Sequence, residues 1–190
     1  MKMAKDMTRG RPFTVLLQFA LPVIGGNLFQ LFYTLADSVI VGRTLGAEAL
    51  AAVGSTGTLI YLVLSFVQGL TSGFGICLGQ RFGAGDEAGM RRSVTTSWYL
   101  SLLFTMALTV PCCLMARPVL SWMKTPESVC QDASTYLWII MAGTGATVFY
   151  NMISNMLRAL GDSRTPLIFL VLSSLANIAL DIVFIVPLDM

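Results

Sequence analysis

Hydrophobic positions gather into five long runs along this chain, and short polar stretches separate the runs. A helix needs about 20 apolar residues to cross a bilayer, and more when it is tilted. The five runs reach that length and predict transmembrane helices at approximately residues 13–42, 50–78, 94–115, 133–157 and 166–188. The pattern therefore predicts an all-α integral membrane protein with five spans.

The stretches between the runs contain residues that end helices. The segment QRFGAGDEAGMRR follows the second run, and its glycines and charges cannot continue a membrane span. In RALGDSRTP, after the fourth run, Gly161 suits the end of one helix and Pro166 suits the first turn of the next. The amphipathic segment ARPVLSWMKTPES predicts a link with a short interfacial helix around Trp122.

Lysine and arginine are unevenly distributed between the two ends of the predicted spans. Cytoplasmic loops of membrane proteins carry an excess of these residues. The richer side includes the N-terminus and has Lys2, Lys5, Arg9, Arg11, Arg81, Arg91, Arg92, Arg158 and Arg164. The poorer side has Arg43, Arg117 and Lys124. We therefore expect a multi-pass protein of the plasma membrane with its N-terminus in the cytoplasm.

Composition excludes several other classes of protein. Hydrophobic residues make up 55% of the chain and charged residues 12%, whereas a soluble domain is about 25% charged. The net charge of +2, without a basic stripe, gives no sign of a nucleic-acid partner. The chain has no histidine, no C-x-x-C pair and no nucleophile beside a base, so we expect neither an enzyme nor a bound cofactor.

Two acidic residues, Asp37 and Asp181, lie inside predicted spans, whereas the other acids lie in loops or at helix ends. An ionisable group within a span costs several kcal/mol and is by default a functional-site hypothesis. The first and fifth predicted helices run in the same direction, and both acids lie roughly 8–10 Å inside the outer boundary by helix rise. The two carboxylates are therefore predicted to share one cavity.

Further polar side chains accompany these acids at helical spacing. Positions three, four and seven apart share a helix face, and polar groups facing lipid are costly. The first helix carries a stripe of Asn27, Gln30, Tyr33, Thr34 and Asp37. Asn177 precedes Asp181 by four residues, and the fourth helix carries Asn151 and Asn155. We predict that these groups line a protein interior or a wet cavity, although hydrogen bonding between helices explains Asn151 and Asn155 equally well.

Such a cavity has a chemical use. Burial raises the pKa of a carboxyl group, and a second carboxylate nearby raises the pKa of one of the pair further. The pair can then take up H⁺ near neutral pH or hold Na⁺, with Asp37, Asp181 and Asn177 as the candidate ligands. No other metal is predicted. The alternative is that Arg43 neutralises Asp37 and the acid only ties helices together.

Proline and glycine mark two further features of the spans. Pro22 lies within the first helix, followed by Gly25 and Gly26, and a proline inside a helix allows a kink. Such interruptions mark moving parts in transporters, with a static bend as the alternative. The segment GLTSGFG, residues 69–75, predicts close packing of helices through small residues.

Three stretches of the chain resemble the multidrug and toxic compound extrusion (MATE) family of transporters. The first helix and loop of that family resemble ALPVIGGNLFQLFYTLADSVIVGRTLGAEALAAVG. Its second cytoplasmic loop resembles GQRFGAGDEAGMRR, and its fourth loop resembles LRALGDSRTPLIF, which Asn177 and Asp181 follow. The resemblance covers nearly the whole chain from about Thr8.

The resemblance implies an architecture and a function. MATE transporters have twelve helices in two six-helix lobes, and they export lipophilic, often cationic, compounds in exchange for H⁺ or Na⁺. Residues 1–190 would then form most of an amino-terminal lobe of the bacterial type, without helix six and the second lobe. The expected partners are a drug-like small molecule, membrane lipid and the missing second lobe.

The resemblance also implies roles for individual residues. Asp37, Tyr33, Asn177 and Asp181 match a cation site in the amino-terminal lobe, and Pro22 matches a proline linked to bending of helix one. Asn151 and Asn155 fall near asparagines of the family's helix four.

Two alternatives stay open. One is a flippase for lipid-linked precursors from the same wider superfamily, although such cavities tend to be cationic and no Lys or Arg lies within these spans. The other is a non-transporting membrane fragment or adaptor.

Overall fold

The structure is a computed structural model that describes residues 12–44, 46–123, 125 and 127–185. All regular secondary structure within these residues is α-helical, which confirms the all-α part of the predicted fold class. The helices are α1 (Pro12–Thr44), α2 (Gly46–Gly83), α3 (Glu87–Trp122), α4 (Glu127–Ala142), α5 (Thr144–Ala159) and α6 (Arg164–Ile185).

Helix α3 is longer than the sequence predicts. It begins at Glu87 and continues through Pro111 and Pro118 to Trp122. The prediction of a separate interfacial helix around Trp122 is therefore wrong, because that residue forms the last turn of α3. A proline within a membrane helix is tolerated where neighbouring groups and local adjustments satisfy the freed backbone carbonyl.

The fourth predicted span, residues 133–157, is divided between two helices. Helices α4 and α5 meet at Gly143 with a bend of 42°. The Gly143 N–H still bonds to the Ile139 carbonyl at 3.0 Å, and the Gly143 carbonyl accepts from Ala146 N–H at 3.1 Å. Gly143 therefore keeps a hydrogen bond on each side of the bend.

Three helical segments are long and apolar enough to cross a membrane, namely Pro12–Ile40, Leu50–Gly83 and Glu87–Trp122. The bent pair α4–α5 makes a fourth span if the two helices cross together. The apolar part of α6, Arg164–Leu180, is shorter among the described residues. The structure thus supports three or four spans, and the fifth stays a prediction.

The chain divides into two compact units. The first unit is Met1–Thr44 with Leu160–Met190, and the second is Leu45–Ala159. In the first unit α1 packs along α6, and the contact is close at Gly26. A Cβ atom at Gly26 would lie 3.3 Å from Leu167 Cδ1 and 3.6 Å from Leu170 Cδ2. A side chain at this position would press on the tip of Leu167, so α1 and α6 approach closely here.

Helix α6 begins with a hydrogen-bonded cap. Gly161 has a left-handed backbone (φ 87°), as its predicted place at a helix end requires. The Asp162 carboxylate then accepts from the N–H groups of Arg164 and Thr165 at 3.1 and 3.0 Å, and from the Thr165 hydroxyl at 2.6 Å. These bonds satisfy backbone donors that the first turn of a helix leaves unpaired.

The second unit has an apolar core where α2, α3 and α4 meet. Its buried residues are Ala52, Val63, Ala116, Leu120, Val129, Ala133, Leu137 and Met141. The cluster combines small side chains with larger ones, as close packing of helices requires. This packing holds α4 beside the hairpin of α2 and α3.

A second seam joins α5 to α2 and α3. A Cβ atom at Gly75 would lie 3.0 Å from the backbone oxygen of Asn155, so the two helices are in close contact there. On the α3 side, the buried Ser101 hydroxyl lies 3.1 Å from the sulfur of Met152. The predicted close packing of GLTSGFG is confirmed at Gly75. At Gly69, by contrast, a Cβ atom would meet no described atom within 4 Å.

The turn between α2 and α3 is held by one carboxylate. Asp86 Oδ1 accepts from Gly89 N–H at 2.8 Å, and Asp86 Oδ2 pairs with Arg81 Nη1 at 3.2 Å. A Cβ atom at Gly89 would overlap both side chains. Gly85 has a left-handed backbone (φ 68°) that lets the chain reverse before the cap.

Large apolar side chains are exposed along the helices. Phe13 is 77% exposed, Leu114 76% and Phe32 68%. A soluble monomer rarely exposes contiguous apolar surface of this kind. The exposure agrees with helices that face lipid, in a multi-pass membrane protein.

Candidate functional site

Helices α1 and α6 are joined by a hydrogen bond between two residues of the predicted cation site. The Tyr33 hydroxyl donates to Asn177 Oδ1 at 2.5 Å. Tyr33 is half-buried, whereas Asn177 is exposed. The sequence predicts that both residues serve one site, and the structure brings them into direct contact.

The contacts along α1 and α6 fix their direction and register. Gly26 lies against Leu167 and Leu170, and seven residues later Tyr33 meets Asn177. Residue numbers therefore rise together along the two helices, which run parallel. Four residues beyond Tyr33 and Asn177, a rise of about 6 Å on each helix, the two helices again have positions at the same height along their axes.

Asp37 and Asp181 occupy these next turns. Asp37 follows Tyr33 by four residues on α1 and is half-buried. Asp181 follows Asn177 by four residues on α6, and its side chain lies outside the described part of the structure. The backbone thus places both acid-bearing positions one turn beyond the Tyr33–Asn177 bond.

The other polar side chains near this site on α1 either bond to their own helix or are exposed. Hydroxyls bond to their own helix: Thr34 Oγ1 donates to the Gln30 carbonyl at 3.0 Å, and Ser38 Oγ to the Thr34 carbonyl at 2.9 Å. The side chains of Asn27 and Gln30 are exposed. Their predicted place in a cavity wall stays a prediction.

Pairing between Asp37 and Arg43 is the structural alternative for the acid. Arg43 lies in the last turn of α1 and is exposed. Within the described part of the chain, the Arg43 guanidinium makes no ion pair. The alternative that Arg43 neutralises Asp37 stays a prediction.

Asn151 and Asn155 lie on α5, in the second unit. Asn151 Nδ2 donates to the Thr147 carbonyl of its own helix at 2.9 Å. Asn155 Nδ2 donates to Thr71 Oγ1 on α2 at 3.2 Å, beside the close contact at Gly75. Asn155 therefore ties two helices together, which is one of its two predicted roles, and its place in a cavity stays a prediction.

Thr71 is a hydrogen-bond partner of Asn155 that the sequence did not single out. It is fully buried, and its hydroxyl also donates to the Val67 carbonyl at 2.8 Å. Its position four residues before Gly75, on the same helix face, was the available signal. Hydroxyl groups within apolar runs are common, however, and only the neighbouring helix shows which of them has an interhelical partner.

Pro22 lies inside α1, which is helical from Pro12 to Thr44. The helix is thus continuous through the proline, and bending there stays a prediction. Among the described residues, no group of three or more acidic or cysteine side chains is arranged to hold a metal ion. The four cysteines are free thiols.

Comparison with known proteins gives concordant matches. The MatE family model matches residues 22–183. Probable multidrug resistance protein YpnP of Bacillus subtilis is 35% identical over 182 residues, which are 96% of this chain and 41% of YpnP. Probable multidrug resistance protein YoeA of the same organism is 34% identical over 162 residues, 85% of this chain and 35% of YoeA.

Solved structures agree with these sequence matches. The crystal structure of MATE in complex with MaD3S has a TM-score of 0.91 and 29% sequence identity. The match covers 99% of this chain and 42% of that structure's chain. The chain thus spans about two fifths of the length of the relatives that it matches.

Proposed function

Because the chain belongs to the MATE family, whose members are transporters and not enzymes, we propose that it forms the ion-coupling part of a drug exporter. The transporter would move lipophilic, often cationic, compounds across the bacterial plasma membrane in exchange for H⁺ or Na⁺. The names of YpnP and YoeA support multidrug export over movement of lipid-linked precursors. Since the chain spans about two fifths of these relatives, we propose that it works with a second lobe.

The observation that carries this proposal is the Tyr33–Asn177 hydrogen bond between α1 and α6. It sets the register in which Asp37 and Asp181 follow one turn later on parallel helices. Ionisable residues within spans mark ion pathways and proton relays. Two acids at one level, beside a fixed tyrosine–asparagine pair, are suited to binding a cation.

Each side chain has a distinct part in the proposed site. Binding of H⁺ or Na⁺ neutralises the acid pair, because two nearby carboxylates titrate together rather than separately. Asn177 Oδ1 has two lone pairs, so it can accept from Tyr33 and still face a Na⁺ ion. Tyr33 thereby orients the amide oxygen toward the acids. Asn27 and Gln30 extend the same helix face as further cavity-lining groups.

The distribution of cations supports a cytoplasmic N-terminus in this proposal. Arg81 lies in the last turn of α2 and Arg91 and Arg92 near the start of α3, on either side of the turn that joins them, whereas Arg117 lies toward the opposite end of α3. Short loops rich in Lys and Arg remain in the cytoplasm. Asp37 and Asp181 would then lie toward the outer side.

Substitution of each acid in a full-length transporter containing this chain tests the function. Asp37→Asn and Asp181→Asn should insert normally, because removal of a charge lowers the cost of insertion. Each variant should lose most of its efflux of ethidium or norfloxacin from pump-deficient cells, and with it the dependence on pH or Na⁺. The matched control is Asp132→Asn, an exposed acid on α4 that should leave efflux unchanged.

Two results would count against the proposal. Full efflux by a well-expressed Asp37→Asn variant, with unchanged pH and Na⁺ dependence, would remove Asp37 from the mechanism. Loss of efflux only because the protein disappears from the membrane would assign Asp37 a structural role instead.

A further inference from the structure

A cleft of about 370 Å³ lies beside α3 and α4 in the second unit. We call it the Arg117 cleft; the residues used below are Leu114 and Arg117 from α3 and Ser134 and Trp138 from α4. The cleft combines a cation, a hydroxyl and an indole ring. The ion site proposed above belongs to the first unit and takes no residue from this cleft.

Arg117 brings an unneutralised positive charge to the cleft. Its Nη2 donates to Gln131 Oε1 at 2.8 Å, and within the described residues no carboxylate pairs with it. A guanidinium has five N–H donors, so most of them remain available. The neutral amide of Gln131 orients the side chain without cancelling its charge, and the cleft therefore favours an anion.

Ser134 supplies a second hydrogen-bond donor to the cleft. The residue is only 8% exposed and lines the cleft. Among the described residues, nothing hydrogen-bonds to its hydroxyl. The hydroxyl faces the cleft and can donate to an acceptor bound there.

The position of Arg117 along α3 relates the cleft to the membrane. No charged residue occurs from Ser93 to Ala116, between Arg92 and Arg117. A helix of that length extends about 36 Å, slightly more than the hydrocarbon core of about 30 Å. Arg92 and Arg117 therefore lie near the two opposite headgroup regions, and the Arg117 cleft lies at one of them.

Apolar side chains at the rim of the cleft can contact the acyl chains of a lipid whose headgroup is bound at Arg117. Trp138 is 54% exposed, and tryptophan is enriched at the level of the headgroups. Leu114 is 76% exposed and lies on α3 on the side of Arg117 that leads into the apolar run. An anion bound at Arg117 can thus continue into acyl chains along the helix surface.

We propose that the Arg117 cleft binds the headgroup phosphate of an anionic phospholipid. The free N–H groups of Arg117 and the Ser134 hydroxyl donate to phosphate oxygens, while the acyl chains follow Leu114. Charge-assisted bonds of this kind are stronger than neutral ones. The exposed leucine favours a lipid over free phosphate, because a free anion gains nothing from apolar surface.

Native mass spectrometry of the purified chain tests the proposal. The chain is presented with equal amounts of phosphatidylglycerol and phosphatidylcholine, and the bound lipids are counted. The wild-type chain should retain phosphatidylglycerol preferentially. Arg117→Gln should weaken that binding about tenfold, because a charge-assisted interaction is lost. The matched control, Arg92→Gln at the other end of α3, should keep the preference.

If Arg117→Gln does not fold, two milder variants test whether the cleft binds the anionic lipid. Arg117→Lys should retain the preference for the anionic lipid, and Ser134→Ala should reduce it. Equal retention of both lipids by the wild type, or unchanged binding in Arg117→Gln or Ser134→Ala, would overturn the proposal. Displacement of the lipid by inorganic phosphate at equal concentration would show that the cleft binds the free anion instead.

Discussion

The Tyr33 hydroxyl donates a 2.5 Å hydrogen bond to Asn177 Oδ1 across 144 positions of the chain. The two residues belong to α1 and α6, whose direction and register follow from this bond and from the contact at Gly26. Hydrogen bonds between membrane helices average about 0.6 kcal/mol and reach about 1.7 kcal/mol. One such bond thus contributes modestly to stability, and its larger effect is to fix which turn of α6 faces Asp37.

A double-mutant cycle on this pair should measure that contribution. Tyr33→Phe and Asn177→Ala should each lower the free energy of unfolding by about 0.6–1.7 kcal/mol. The double variant should cost little more than either single one, because both remove the same bond. Thermal unfolding of the chain in detergent provides the measurement. Fully additive losses would show that the bond contributes nothing.

Gly75 and Gly79 on α2 offer a matched test of helix packing. A Cβ atom at Gly75 would lie 3.0 Å from the backbone oxygen of Asn155, which cannot move without shifting α5. A Cβ atom at Gly79 would meet Ala159 at an ordinary 3.6 Å. Gly75→Ala should therefore lower the free energy of unfolding by about 1–3 kcal/mol.

The control is Gly79→Ala, which should be neutral or slightly stabilising because alanine favours helix. Chemical or thermal unfolding in one detergent compares the two variants directly. Equal effects of the two substitutions would contradict the inference that α2 and α5 are closest at Gly75.

The pKa of Asp162 predicts how the free energy of unfolding depends on pH. Burial by itself would raise the pKa of this carboxyl. Hydrogen bonds from the Thr165 hydroxyl and from the N–H groups of Thr165 and Arg164, together with the Arg164 charge, outweigh burial and hold the pKa below its ordinary value. The cap therefore stabilises the folded state above about pH 3.9, the ordinary pKa, and that contribution is lost as pH falls through the lower folded pKa.

At neutral pH, Asp162→Ala should cost about 0.5–2 kcal/mol, as expected for loss of a helix cap. The difference in melting temperature between wild type and this variant should shrink below about pH 4, where the native carboxylate becomes protonated. The control is Asp132→Ala, which removes an exposed acid from α4 and leaves the α6 cap intact. A difference that stays constant or widens in acid would contradict the assigned pKa direction.

Labelling of single cysteines should report the orientation of the chain. In a background with the four native cysteines replaced, Ala84→Cys marks the turn between α2 and α3, and Glu127→Cys marks the start of α4. A membrane-impermeant maleimide should reach Cys at 127 in intact cells and Cys at 84 only after lysis. The opposite pattern would place the N-terminus outside.

Helix content and the acid-bearing positions could be predicted from the sequence, because both depend on neighbours within one or two turns. The apolar runs predicted where the described helices lie, with one run covering both α4 and α5, and the lone carboxylates at Asp37 and Asp181 differed from their surroundings. The predicted boundaries were less accurate. Helix α3 continues through Pro111 and Pro118, since a proline in an apolar run does not by itself end a membrane helix.

The sequence by itself determined that the chain is helical and apolar, and that Tyr33, Asp37, Asn177 and Asp181 stand at helical spacing on two segments. Tertiary structure alone decided that Tyr33 bonds to Asn177, that Asn155 bonds to Thr71, and that the fourth predicted span bends at Gly143. The physical reason is that these contacts join residues that are far apart in sequence. Periodicity specifies the face of one helix, whereas the partner of a side chain depends on the register between two helices, which is set by packing of residues far apart in sequence.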